Sequence, residues 1–262
     1  MTPHRYVFVG GLHRSGTSLV ARLIGDLPGV SAINTATVPE NEGVYLQGAI
    51  PHTARHGMPM HFATDPAQHH IEGSHFDRLE TQTRLERDWA PYFANPPWRV
   101  EKSPVNLTRM RLYQQLFPLS QFVVVIRHPE AVAAATSKWV DMDHAAMMDH
   151  WLDAHDIVRR DLAYLHAVMT VRYEDLVADP AATLARLAAF LDLDAVPAPQ
   201  GIRDGNLDYA GTGTLLATQA ERASEWGYGP GLEVSPWAGV TRHPLRRIAE
   251  NVEAAASRKA LT

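Results

Sequence analysis

Two glycines with four residues between them, Gly11 and Gly16 in the stretch GGLHRSGTSLV, have the spacing of a phosphate-binding loop. In a loop that clamps nucleoside triphosphates the second glycine is followed by lysine, and here Thr17 stands in that place. A glycine-rich turn from strand to helix still aims backbone N–H groups and the positive helix end at one anion. What the missing lysine removes is the grip on the outer phosphates, and a triphosphatase also needs an Asp at a strand end for magnesium. The other strands end in RVEKS, VVVIRHP and VRYED, and none supplies a well-placed Asp. The second of these places Arg127 at a strand-to-helix turn. A glycine turn alone is more often a tight joint than a site, and a lone arginine is more often a surface charge or ion-pair partner. Together, at turns of one sheet, they fit a nucleotide carrying phosphate at two separate places.

The elements that must position these residues are legible as alternation. Tyr6 to Val9 is a short β-rich run, and Leu19, Val20, Leu23, Ile24 and Leu27 then recur at helical spacing. WRVEKS before NLTRMRLYQQLF, QFVVVIR before PEAVAAATSKWV, and AVMTVRY before DLVADPAATLARLAAFLDL repeat the pattern. Phe122 to Ile126 is apolar on both faces, as in a central strand of a buried parallel sheet. The expected fold class is therefore α/β, with a central parallel sheet flanked by helices on both faces. A helix from Asp143 to Leu165, with Asp143 as its N-cap, and a final helix from Pro244 to Arg258 complete the expected elements. Two stretches, 34–77 and 197–242, lack periodicity, and loops this long are expected to wall the ligand crevice.

Composition bounds the function. The 262 residues are 45% apolar, enough for one domain over 1–262, and the net charge of -5 gives no general attraction to nucleic acid. There are no cysteines, which excludes thiolate catalysis and cysteine zinc sites. No run approaches the about 18 apolar residues of a membrane span, and no signal peptide is evident, so a soluble, cytoplasmic protein is expected.

GLHRSGTSLVARLI resembles the 5′-phosphosulfate loop of sulfotransferases that use 3′-phosphoadenosine 5′-phosphosulfate (PAPS), and FVVVIRHPEAVAAATSKW resembles their 3′-phosphate motif. VRYEDLVADP is similar to a third block at the nucleotide pocket, and VEKSPVNLTRMRLYQQLFP to the segment with an active-site lysine in tyrosylprotein and some bacterial members. The blocks keep family order from Tyr6 to Leu193. The resemblance implies a P-loop-like three-layer sandwich that binds PAPS as sulfuryl donor and releases the bisphosphate PAP. It implies Arg14, Ser15, Gly16, Thr17 and Ser18 around the phosphosulfate, Arg127 on the 3′-phosphate, Tyr173 near the adenine and Lys102 toward the transferring oxygens. The family's 3′-phosphate serine falls here on Ala135, with Thr136 or Ser137 as replacements. Ser224, in ASEW, loosely matches a serine that touches the bridging oxygen in tyrosylprotein members.

Transfer also needs a base for the acceptor hydroxyl. Glu42 and Glu40, in VPENEGVYLQ, are the leading candidates, with Glu42 preferred because Gly43 permits a tight turn beside it, and His13 is the alternative. His52 and His56 have zinc-ligand spacing, but Pro51, Gly57 and Pro59 interrupt any helix there, so no metal site is expected. Trp226, Tyr228 and Trp237 fit either an acceptor pocket or ordinary packing. The expected activity is sulfuryl transfer (EC 2.8.2 type) to a hydroxyl of a small-molecule, lipid-linked or glycan acceptor, as in secondary metabolism. A P-loop kinase or nucleotidase, or a noncatalytic nucleotide-binding protein, is the alternative, and acceptor and oligomeric state stay open.

Overall fold

The computed structural model describes residues 4–52 and 60–257. Its main sheet has six strands: β1 (Arg5–Gly10), β2 (Val30–Ala32), β3 (Trp98–Lys102), β4 (Gln121–Ile126), β5 (Val168–Arg172) and β8 (Thr241–Arg242). Their order is β2-β3-β1-β4-β5-β8, and the first five run parallel while β8 pairs antiparallel with β5. A separate hairpin joins β6 (Tyr228–Gly229) to β7 (Glu233–Val234). Residues alternate between the two faces of each strand, so the sheet divides two cores. Phe8, Phe122, Val124 and Ile126 face one, with Leu85 of α2 (Leu79–Trp89), Leu112 of α3 (Met110–Leu116), Val132 of α4 (Pro129–Thr136) and Trp151 of α5 (His144–Leu162). Val7, Val9, Val123 and Val125 face the other, with Leu23 of α1 (Thr17–Gly25), Leu176 of α6 (Tyr173–Ala178), Leu187 of α7 (Pro180–Phe190) and Val252 of α9 (Arg246–Ser257). All of Phe122 to Ile126 is 0% exposed, which agrees with a central strand. The α/β reading with helices on both faces stands.

Several boundaries differ from the sequence expectation, each for a local reason. The run after β5 forms two helices, because Asp179 accepts from Ala182 N and Pro180 starts α7 at a position where no N–H is needed. The run after β3 begins as a 3₁₀ segment, Pro104–Thr108, before α3. Asp143 caps α5 as expected, its carboxylate accepting from Ala146 N at 2.8 Å. The stretch 197–242 contains α8 (Ala217–Ser224), the hairpin and β8, and α9 starts at Arg246 rather than Pro244. Arg258 and His56 lie outside the described residues.

The parallel register sets the site. Val9 pairs with Lys102 across β1 and β3, and Gly10 pairs with Val124 across β1 and β4. From β1 the chain goes first to β2 and β3 on one side and later to β4 and β5 on the other. The loop after β1, Lys102 and Arg127 thus share the carboxyl edge where the strand order reverses, the place at which open α/β sheets hold ligands.

Candidate active site

The loop from Gly11 to Gly16 is held in a shape that few side chains would permit. Gly16 has φ 95°, and a Cβ there would lie 2.8 Å from the Tyr173 ring. A Cβ on Gly11 would run into the carbonyl oxygen of Val125. Arg14 also has a positive φ, 67°. Helix α1 closes its first turn with Val20 N donating to Gly16 O (3.1 Å), and no side chain among the described residues caps it. Its leading N–H groups are therefore available to an anion. A cleft of about 300 Å³ opens at this point. His13, Arg14, Gly16, Thr17, Ser18, Glu40, Glu42 and Arg127 all line it, and Pro104 and Trp139 complete the wall.

Glu42 and Lys102 form the charged centre. Lys102 Nζ donates to Glu42 Oε1 at 3.0 Å, and the two side chains are only 7% and 8% exposed. The backbone beside Glu42 is fixed by three partners. Gly43 N donates to Glu101 Oε1 (3.0 Å), Val44 N to Ser103 Oγ (3.0 Å), and the Trp89 indole N–H to Gly43 O (2.9 Å). Burial raises the Glu42 pKa above the usual glutamate value, and Lys102 opposes that rise by charge and hydrogen bond. Gly43 has a different role from the one expected. The positive φ angles belong to Glu40 (51°) and Asn41 (53°), whereas Gly43 gives space, since a Cβ there would stand 2.6 Å from Glu101 Oε1. Glu40 is exposed at the rim and accepts from Ser18 Oγ at 3.1 Å. His13 is lowered to a pKa of about 4, chiefly by burial and then by His52 and Lys102, so it is neutral at pH 7.

On the other side of β1, Arg127 is 6% exposed. Its Nε donates to Asn206 Oδ1 (2.7 Å), its Nη1 donates to Arg14 O (2.8 Å), and its Nη2 has no partner among the described residues. The guanidinium lies 4.3 Å from the Tyr173 ring centroid. Tyr173 is packed between this arginine and Gly16, and its hydroxyl accepts from Gly205 N and donates to Arg203 O, so it backs the cleft without lining it.

Four more of the expected contributors do not line the cleft. Thr136 Oγ donates to Val132 O, and Ser137 Oγ donates to Ala134 O, so both hydroxyls are turned back into α4. Ser224 sits exposed on α8 with its hydroxyl donating to Glu221 O. Ser15 is fully buried with an unpaired Oγ behind the loop. Trp226 and Tyr228 are core residues, and Trp237 packs 5.8 Å from Trp226, so the packing reading of these aromatics holds. Trp139, which sequence reasoning passed over, is 46% exposed in the cleft wall with its ring 5.5 Å from the Arg14 guanidinium. A large aromatic just past the helix that follows Arg127 was the available signal.

The geometry therefore joins a helix N-terminus, the Glu42 carboxylate and a buried arginine around one cleft, while Lys102, the ion-pair partner of Glu42, lines a second hollow that shares Ser18 and Glu40 with it. A model of the sulfotransferase family matches residues 6–197. The chain belongs to the sulfotransferase family. Three solved structures that the chain resembles are sulfotransferases, each of them distant in sequence. STF1 from Mycobacterium tuberculosis H37Rv is 18% identical (TM-score 0.47, 73% of this chain and 68% of that one). A sulfotransferase from Alicyclobacillus acidocaldarius is 16% identical (TM-score 0.49, 85% and 94%). The sulfotransferase domain of the Synechococcus PCC 7002 olefin synthase is 17% identical (TM-score 0.44, 100% and 96%). No curated protein matches the chain. Among the described residues of this family member, no helix is long and apolar enough to cross a membrane.

Proposed function

We propose that this chain transfers a sulfuryl group from PAPS to a hydroxyl of a small-molecule, lipid-linked or glycan acceptor by in-line displacement without a metal. The buried Lys102–Glu42 pair, whose carboxylate lines the cleft at the loop, carries this reading. A carboxylate held beside a cation, next to an anion-binding helix end, can take a proton while negative charge develops close by. The acceptor oxygen forms a new bond to sulfur as the bond from sulfur to the bridging phosphate oxygen breaks. The acceptor proton passes to Glu42, and the bridging oxygen leaves with PAP. Ammonium has three hydrogens, so Lys102 keeps donors for the leaving oxygen while one stays on Glu42. Arg14 and the first-turn N–H groups of α1 neutralise the 5′ side, and Arg127 takes the 3′-phosphate through its unpaired Nη2.

Thermal unfolding with added nucleotide tests the donor. A ligand that binds only the folded chain raises its stability. PAP is expected to raise Tm well above the effect of AMP, and ATP with magnesium to raise it little. A shift with ATP and magnesium alone favours a kinase or nucleotidase and overturns the reading. Transfer of labelled sulfuryl from PAPS to a panel of phenols, sugars and lipid alcohols then tests catalysis, and PAP binding without transfer to any acceptor favours a noncatalytic nucleotide-binding protein.

A further inference from the structure

The 3′-phosphate motif loses its usual helix serine at Ala135, and the nearby hydroxyls of Thr136 and Ser137 are spent inside α4. What fixes the arginine instead comes from two other parts of the chain. Glu174, the second residue of α6, accepts from three donors. His128 N donates to its Oε1 at 3.0 Å, Asn206 Nδ2 to the same oxygen at 2.8 Å, and the Tyr228 hydroxyl to Oε2 at 2.9 Å. The first bond pins the backbone just after Arg127. The second orients the Asn206 amide, because an amide whose NH₂ group donates to a carboxylate must turn its oxygen the other way. That oxygen receives Arg127 Nε at 2.7 Å. With Nη1 held by Arg14 O as well, the guanidinium is fixed at two of its nitrogens, and Nη2 is left buried and unpaired among the described residues in a residue that lines the cleft. Asn206 is 6% exposed and lies in a 3₁₀ turn, Gly205–Tyr209, whose Gly205 N donates to Tyr173 OH at 2.8 Å.

We infer that Glu174 and Asn206 are positioning residues that set Arg127 for the 3′-phosphate, so that discrimination between nucleotides with and without that phosphate is lodged in the Gly205–Tyr209 turn as well as in the arginine. This rests on the donor assignment above. Preorganisation by neighbours is what turns a flexible guanidinium into a selective donor, since an arginine free to rotate loses side-chain entropy each time it engages a phosphate.

The test is the ratio of affinities for 3′,5′-ADP and 5′-AMP, measured by titration calorimetry on the same preparation of each protein. Any loss of folded protein lowers both apparent affinities and cancels in the ratio. The wild type is expected to prefer 3′,5′-ADP. Asn206→Ala is expected to reduce that preference at least tenfold with 5′-AMP affinity unchanged. Glu174→Gln is expected to reduce it less, since the glutamine oxygen still accepts but its NH₂ group faces a donor. If Asn206→Ala and Glu174→Gln both keep the wild-type ratio, the positioning role is refuted while the donor site stands. A wild type with no preference for 3′,5′-ADP refutes the donor assignment itself, and this inference with it.

Discussion

At the scale of single residues, the proposed base and its cation are one unit. Glu42 must be ionised to accept a proton, yet burial favours its neutral form, and Lys102 is what opposes that tendency. Glu42→Gln is expected to lower kcat by roughly 10²–10⁴-fold, the usual range for a positioned general base, with PAP affinity unchanged. The acid limb of kcat/KM is expected above the ordinary glutamate range. In Lys102→Met the two lowering influences on Glu42 disappear, so whatever activity is left should show its acid limb at higher pH than wild type. A limb that stays put or moves down separates Lys102 from Glu42. His13 offers the contrast. With a pKa of about 4 and no cationic charge at pH 7, it adds no neutralisation to the sulfate. His13→Ala should leave the limb where it is, and if His13→Ala abolishes turnover while Glu42→Gln does not, the two have exchanged roles.

At the scale of elements, Glu42 is only as well placed as the segment that carries it. Glu101 is 0% exposed, and its carboxylate accepts from Gly43 N, Ser103 Oγ and Asn106 Nδ2, so it cannot retreat from a new methyl group. Gly43→Ala is therefore expected to destabilise the chain by about 1–3 kcal/mol in denaturant unfolding, the range for overpacking a tight site. It should also depress kcat while PAP affinity holds, because Arg127 and its partners lie across β1. A Gly43→Ala protein with wild-type stability and turnover removes Glu101 from the support of the base. This support was invisible in the sequence for a physical reason: Gly43 and Glu101 are 58 residues apart, and Arg127 and Asn206 are 79 apart. The loop and Arg127 were legible because strand ends of a parallel sheet must converge, and period and glycine spacing reveal those ends, whereas Lys102 came from the family resemblance. Pairings between a strand end and a long connection depend on how the connection folds. Trp226 and Tyr228 stayed open between pocket and packing for the same reason, since aromatic content does not say which side a loop turns inward. The break at Asp179–Pro180 was readable from its cap and proline.

At the scale of the whole molecule, the apolar cluster on the α5 side of the sheet reaches the site through a ring stack. His155 is 0% exposed and lies 3.7 Å from the Trp151 ring centroid at an interplanar angle of 22°, and the Trp151 indole N–H donates to Arg127 O at 3.1 Å. His155 Nδ1 donates to Trp151 O at 2.7 Å, which leaves Nε2 bare, buried and without a partner among the described residues. A proton on Nε2 would have no acceptor, so burial lowers this histidine from 6.5 to about 4. In the unfolded chain it takes a proton near its ordinary pKa. Between those two values the unfolded state binds more protons, so stability is full above pH 6.5 and falls as the pH drops toward 4. A gap of this size is worth ~3 kcal/mol at its limit. His13 and His70, both also lowered to about 4, add slope of the same sign. His155→Phe keeps the stack, removes the titration and leaves Trp151 O to the helix. The drop in unfolding free energy from pH 7 to pH 4.5 is then expected to shrink by ~2–3 kcal/mol relative to wild type, read from urea titrations at both values. An unchanged drop would mean that His155 keeps its proton in the folded core, and that acid lability of the Arg127 end comes from His13 and His70 instead.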